Sequence, residues 1–147
     1  MEFSPLTWGG AAPTHRELLN KMQRRAERLM YGESENSSLQ PLQHRRDVAG
    51  MCVMYKVHVM DTEHLRPLRQ APRPVVRLTR AATADSTSHA LKEPRCNTLH
   101  YQLQFIPTYT RMWNDFVTTR PDAKMALGNM NRFKSAVNTW LGERHQQ

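Results

Sequence analysis

LQPLQHRRDVAGMCVMYKVHVM, residues 39–60, is the longest mostly apolar run in the chain, and its reading decides the fold. It opens on a basic cluster, His44-Arg45-Arg46, and carries ten apolar residues among its last thirteen. Val48, Cys52, Tyr55 and Val59 recur at i, i+4, i+7 and i+11, one face of a helix, which Ala49 and Val53 widen. Val53, Tyr55, Val57 and Val59 also alternate as a strand would. Length arbitrates: about eighteen residues without a turn signal is long for a strand and ordinary for a helix. The run is therefore read as a helix over 41–58, with fraying after Tyr55. Pro41 sits where a first-turn proline is tolerated. Gly50 in the interior costs roughly 1 kcal/mol against alanine, or marks close packing.

Around this run, 147 residues suffice for one domain but not comfortably for two. A hydrophobic content of 39% and nine prolines point to a modest helical core with a long irregular segment. Net charge is +8 and the isoelectric point about 10.1, which fits an anionic partner. The excess is central: residues 39–80 carry eight basic and three acidic side chains, against five and five in 1–38 and eight and five in 81–147. Two cysteines, Cys52 and Cys96, make no disulfide framework, and Cys52 reads as an inert core residue. MEFSPLTWGG lacks the basic start and apolar run of a secretory signal, and no apolar stretch is long enough to span a membrane. An intracellular compartment, nuclear or cytoplasmic, is the expectation.

Before the central run, Thr14 and Glu17 have capping-box spacing, and a helix is expected over 14–31. Leu18, Leu19, Met22, Ala26, Leu29 and Met30 form its apolar face, and Gly32 stops it. Leu18, Met22 and Leu29 are expected to pack against Val48, Cys52 and Tyr55. Thr62 to Leu65 reads as one short helical turn. RPLRQAPRPVVRLTR, residues 66–80, has five arginines, three prolines and no acid; the prolines point to an extended segment. Ala90 to Glu93 reads as a short strand ended by Pro94, and alternation over Tyr101 to Phe105 as a second. Helical spacing returns near 108–117, with Tyr109, Met112, Trp113 and Phe116 inward. After a turn around Pro121, a last helix spans 130–141, capped by Asn129, with Phe133, Ala136, Val137, Trp140 and Leu141 on its inner face.

Catalytic patterns are absent. Asp47, Asp61, Asp85, Asp115 and Asp122 are scattered, without the paired acids of two-metal chemistry. No glycine-rich phosphate loop occurs. His89, Cys96 and His100 lie close in sequence, with Cys52 or His58 as a fourth ligand, but one ligand pair falls short of a structural zinc pattern. The arginines are the stronger signal. Arg66, Arg69, Arg73, Arg77 and Arg80, beside Arg45 and Arg46, can track the phosphates of RNA or DNA. Tyr101, Phe105 and Tyr109 are candidates to stack bases, set against a plain core role.

WGGAAPTH at 8–15, KMQRRAERLM at 21–30, LQPLQHRRDVAGMCVMYKVHV at 39–59, TRMWNDF at 110–116 and FKSAVNTWL at 133–141 form an ordered set covering nearly all of the chain. As a set they resemble the C-terminal tail of reverse transcriptases of non-LTR retrotransposons, in particular jockey-like mobile elements. The resemblance implies that residues 1–30 correspond to the end of the polymerase thumb and 39–147 to the segment after it. In such elements an endonuclease and the fingers and palm of an RNA-directed DNA polymerase lie upstream. No Tyr-x-Asp-Asp motif occurs here, so no catalytic residue carries over. A nucleic-acid-facing role for Arg45, Arg46 and the 66–80 arginines does. Met1 then falls mid-domain, as in a truncated reading frame or a retained remnant.

The expected fold is mainly α, with three or four helices, an extended Pro/Arg-rich segment and room for one short two-stranded element. Its regions are an end-of-thumb-like helix and linker (1–38), the central helix (39–65), the basic extended segment (66–89) and an α-rich remainder (90–147). The expected function is that of a non-catalytic fragment with weak, electrostatic nucleic-acid affinity and no cofactor or metal. The alternatives are a helical protein-interaction domain, in which the arginines are a solvated linker, and a small zinc-binding module.

Overall fold

The computed structural model describes residues 7, 11–32, 40–73, 89–95, 97–120 and 123–144. Among them the protein is mainly α: α1 (Pro13–Tyr31), α2 (Leu42–His58), α3 (Leu99–Gln102), α4 (Phe105–Thr119), α5 (Ala123–Ala126) and α6 (Met130–Arg144). A 3-10 helix, Glu63–Leu68, follows α2. Extended pairing among the described residues is a single antiparallel bridge, Pro72 to Leu91.

The central run is the helix its length requires, from Leu42 to His58. It is buried on more sides than one stripe predicts. Val48 and Tyr55 are inside, but so are Met51, Met54 and Val57, while Cys52 is half-buried and Val59 exposed. A helix apolar nearly all round is one enclosed by neighbours. Here α4 and α6 pack on two sides of it and the 3-10 helix lies near its end. The core beneath is aromatic. Phe133 lies 4.8 Å from the Tyr55 ring, 5.6 Å from Trp113 and 5.5 Å from Phe116, and Phe116 meets Trp140 edge-on at 5.5 Å. Such offset and edge-on pairs add about 0.5–1.5 kcal/mol each beyond the area they bury. Tyr55 donates its hydroxyl to the Leu127 carbonyl at 2.9 Å, which ties α2 to the turn before α6.

Gly50 marks close packing. A Cβ at this position would overlap the Tyr109 ring at Cε1 and Cζ. The missing side chain is what lets α4 approach the α2 backbone, and the Tyr109 hydroxyl then reaches the Arg46 carbonyl (3.4 Å) and Asp47 Oδ1 (3.2 Å).

The structure corrects four expectations. The apolar face of α1 does not pack on Val48, Cys52 and Tyr55: Leu18, Met22 and Met30 are exposed and Leu29 is 80% exposed. Tyr55 is already turned to Phe133 on α6. The capping box is not formed. Pro13 starts α1 behind Ala12, no side chain caps it, and Glu17 pairs outward with Arg24 at 2.9 Å. A first-turn proline has its φ preset for the helix, which moves the start ahead of Thr14. Tyr101 to Phe105 is not a strand. Thr98 accepts from the Tyr101 amide (3.3 Å) and opens α3, and Phe105 begins α4. Finally, Arg66 and Pro67 belong to the 3-10 helix, so extended chain begins at Arg69. Two boundaries hold: Gly32 ends α1 at φ +68°, and Asn129 caps α6 by accepting from the Asn131 amide at 2.8 Å, whereas α4 (Phe105–Thr119) and the end of α6 at Arg144 outrun the expected 108–117 and 130–141. The turn expected around Pro121 falls outside the described residues.

Gly50→Ala gains about 1 kcal/mol of helix propensity but forces a methyl into the Tyr109 ring, and overpacking costs about 1–3 kcal/mol. The variant should be net destabilised in a urea melt. In a Tyr109→Ala background the same change should be neutral or stabilising; a loss of equal size in both backgrounds would contradict the packing assigned to Gly50.

Candidate nucleic-acid interface

The arginine segment leaves the 3-10 helix at Arg69 and runs extended to the bridge at Pro72. There it pairs with the segment after His89: the Arg73 amide donates to the Ala90 carbonyl and the Lys92 amide to the Ala71 carbonyl, both at 2.8 Å. This pairing puts the exposed residues Arg73 and Lys92 on neighbouring backbones, with Arg69 and Arg95 a few residues away. One buried side chain fixes the second segment to the core. Asn114 of α4 accepts from the Leu91 amide (2.8 Å) and donates to the Leu91 carbonyl (2.9 Å) and to Glu93 Oε1 (3.1 Å). Trp113 adds a bond from Nε1 to the His89 carbonyl at 2.9 Å. A primary amide suits this task, because its oxygen and nitrogen match a backbone N–H and C=O together.

Beside the paired segments lies an open groove of about 650 Å³, whose walls include Leu68, Gln70, Pro94, His100, Tyr101 and Gln104. Gln70 lies between Arg69 and Arg73 in sequence, and Pro94 between Lys92 and Arg95. The groove thus has polar amides and one exposed aromatic, Tyr101 (39% exposed); its lining among the described residues holds no Lys or Arg, and Arg69, Arg73, Lys92 and Arg95 only flank lining residues along the chain. That combination suits a flexible anionic strand: cations follow phosphates and a ring face receives a base.

The seven arginines expected to face nucleic acid have separate fates. Arg66 and Arg69 both pair with Asp61, at 3.3 and 2.7 Å, so the acid just upstream offsets half of their charge. Arg73 is exposed. Arg45, half-buried, donates to Gln23 of α1 at 2.8 Å. Arg46 is buried, at 4% exposure, and does not present itself to a strand on the surface. Arg77 and Arg80 lie outside the described residues. Lys92, Arg95 and the groove amides were not singled out from the sequence. No local pattern marks them, because they join the site through the pairing of 71–73 with 90–92. Of the three stacking candidates, Phe105 and Tyr109 are buried and lie against each other at 4.7 Å, so they are core. Tyr101 alone is at the surface.

His58, at the end of α2, lies 6.0 Å from Trp113, and its Nε2 is buried with no partner. Burial, and then the nearby charge of Arg69, push its pKa down to about 4. Burial likewise raises the Cys52 thiol, which keeps it protonated and unreactive. Cys96 of the zinc alternative lies outside the described residues. Among those described, no three His, Cys, Asp or Glu side chains group as a metal site, and no helix is long and apolar enough to cross a membrane.

Comparison with protein-family models, with curated proteins and with solved structures finds no match.

Asn114→Ala should cost about 2–4 kcal/mol, since it strands a buried amide and a buried carbonyl at Leu91. Faster hydrogen exchange at Leu91 and Lys92 would accompany the loss; unchanged exchange would contradict the anchoring role. His58 gives a pH signature. Above pH 6.5 it is neutral in both states and contributes no slope. As pH falls from 6.5 to about 4 only the unfolded chain takes the proton, so stability is lost across that window and levels off below it. The half-buried ring makes the loss well under the ~3 kcal/mol of a full shift. Urea midpoints against pH should flatten in this window for His58→Gln.

Proposed function

We propose that the chain is a non-catalytic helical domain, of the kind found in the C-terminal tail of non-LTR retrotransposon reverse transcriptases, that binds single-stranded RNA or DNA weakly at the groove beside Tyr101. The observation that carries this reading is the pairing of Ala71–Arg73 with Ala90–Lys92, which brings the exposed Arg73 and Lys92 together near a groove with an exposed aromatic. Support for the resemblance remains the ordered set of segments in the sequence. No paired acids and no palm motif are present in the chain, so the reading includes no polymerase or nuclease chemistry. The reading includes an intracellular location, where such a partner is met. Binding by phosphate contact positions a strand without reading its bases, so affinity should depend little on sequence.

A second reading, a protein-interaction domain, is favoured by the exposed apolar face of α1, where Leu18, Met22, Leu29 and Met30 meet solvent. One salt series separates the two. If all five arginines of 66–80 neutralised single-strand phosphates, log K against log salt would fall with a slope of about −3.5, at roughly −0.7 per contact. Because Asp61 holds Arg66 and Arg69, a shallower slope is expected. Arg73→Gln with Lys92→Gln should flatten it by about 1.4 and weaken binding of a labelled RNA measured by fluorescence anisotropy. Tyr101→Ala should cost about 1–3 kcal/mol of binding with the slope unchanged. Unaltered affinity in both variants would give first place to the interaction domain.

A further inference from the structure

Helix α1 turns its polar side to the protein and its apolar side to solvent. Arg16, Asn20, Gln23 and Glu27 are half-buried, and Gln23 accepts from Arg45 of α2 at 2.8 Å. Leu18, Met22, Leu29 and Met30 are each more than half exposed, Ala26 is exposed, and Leu19 is half-buried. At about 100° per residue these six fall within an arc of about 120°, one stripe along the helix. Between Leu18 and Met30 no charged residue falls inside that arc; Arg25 stands at its border. A lone protein seldom leaves so long a stripe of leucine and methionine in water.

The order of residues in the stripe says what fits it. The six positions are symmetric about Arg24: Leu18 matches Met30, Leu19 matches Leu29, and Met22 matches Ala26. A two-fold axis at the level of Arg24 therefore sets an antiparallel second copy of α1 in register, apolar residue against apolar residue throughout. Leu18 and Leu19 of one copy come level with Leu29 and Met30 of the other, and each Met22 comes level with an Ala26. Large then meets small across the seam, which keeps the two helices evenly spaced. A parallel pairing would set Met22 on Met22 and Ala26 on Ala26, a bulge followed by a gap, with like ends of the two dipoles side by side. The border charge acts against association, with a definite sign. In the antiparallel pairing the two Arg25 side chains share one edge, about 3 Å apart along the helix direction. They repel, as do two chains of net charge +8. Between exposed groups that repulsion is modest, and salt screens it.

We propose that the apolar stripe of α1 is a self-association face, on which a second copy of this chain seats its own α1 antiparallel about Arg24. The proposal rests on the protein-interaction reading and names its partner; it makes no use of the groove beside Tyr101. One helix face is a small interface, under about 1,200 Å² in total, so a weak dimer with a Kd on the order of 10 µM is expected. Its salt dependence is opposite to that of strand binding: screening of Arg25 tightens the dimer, whereas phosphate contacts loosen.

The experiment is sedimentation equilibrium of the full chain over a concentration series at low and high salt. The parent should pass from monomer to dimer, and more readily at high salt. Met22→Gln combined with Leu29→Gln changes two exposed side chains, so it should fold as the parent does and dimerise at least tenfold more weakly. Arg25→Glu tests the register: mixed with the parent at low salt, it should form a heterodimer about threefold tighter than the parent's own dimer. Arg73→Gln and Lys92→Gln should dimerise as the parent does. The interaction reading is judged apart from this, by the RNA series above, in which the Met22 and Leu29 double variant should bind as the parent does. A parent that stays monomeric, a double variant with undiminished dimer affinity, or a heterodimer no tighter than the parent's dimer each overturns the proposal. A monomeric parent that binds mixed phosphatidylcholine and phosphatidylserine vesicles, and loses them in the double variant, overturns it in favour of a membrane surface on the same stripe.

Discussion

Gly50 holds α2 and α4 at the distance on which the rest of the molecule depends. With a hydrogen in place of a methyl, the Tyr109 ring lies against the α2 backbone. From that position its hydroxyl engages Arg46 and Asp47, and its ring carries Phe105 at 4.7 Å, whose other surroundings include the groove. One close approach therefore sets the crossing of two helices, holds Asp47 against the Tyr109 hydroxyl, and places Phe105 in the lining of the groove. A protein interior tolerates little change in volume, so these consequences stand or fall together.

Single polar bonds from buried side chains then attach the irregular chain to this helical frame. Asn114 and Trp113 hold the segment at 89–93, and Tyr55 holds the turn at Leu127. His44 Nε2 meets Asn138 Oδ1 at 2.8 Å across α2 and α6. Leaving any of these groups unpaired inside would cost more than forming the bond gains, which is how a few contacts impose order on segments with little regular structure. Surface ion pairs such as Arg120–Glu143 and Arg144–Asp115 add little by comparison.

The positive charge divides between two settings of different physics. At the groove, cations stay in water, their reach is limited to about a Debye length, and they attract any polyanion. At the start of α2 the Arg46 guanidinium is out of water, at 4% exposure, and is closed to a strand on the surface. Asp61, placed against Arg66 and Arg69, trims the first setting and leaves the second untouched.

The amino-acid sequence alone determined the four longer helices, though not the short α3 and α5, nor where α4 starts and α6 ends. Period, length and punctuation are local properties: the run at 42–58 outlasts any ordinary strand, Gly32 and Asn129 act on their own neighbours, and prolines keep 69–73 extended. It also showed that the charge excess is central and that catalytic patterns are missing. Which faces meet was decided by tertiary structure. The apolar stripe of α1 looks like the partner of α2, yet α4 and α6 take that place, because aromatic side chains from Phe105, Tyr109, Trp113, Phe116 and Phe133 enclose more apolar surface than leucines and methionines on one stripe. The separation of Arg46 from Arg45 has the same origin. Adjacent residues on a helix point about 100° apart, so Arg45 reaches Gln23 of α1 while Arg46 is turned inward and loses its water.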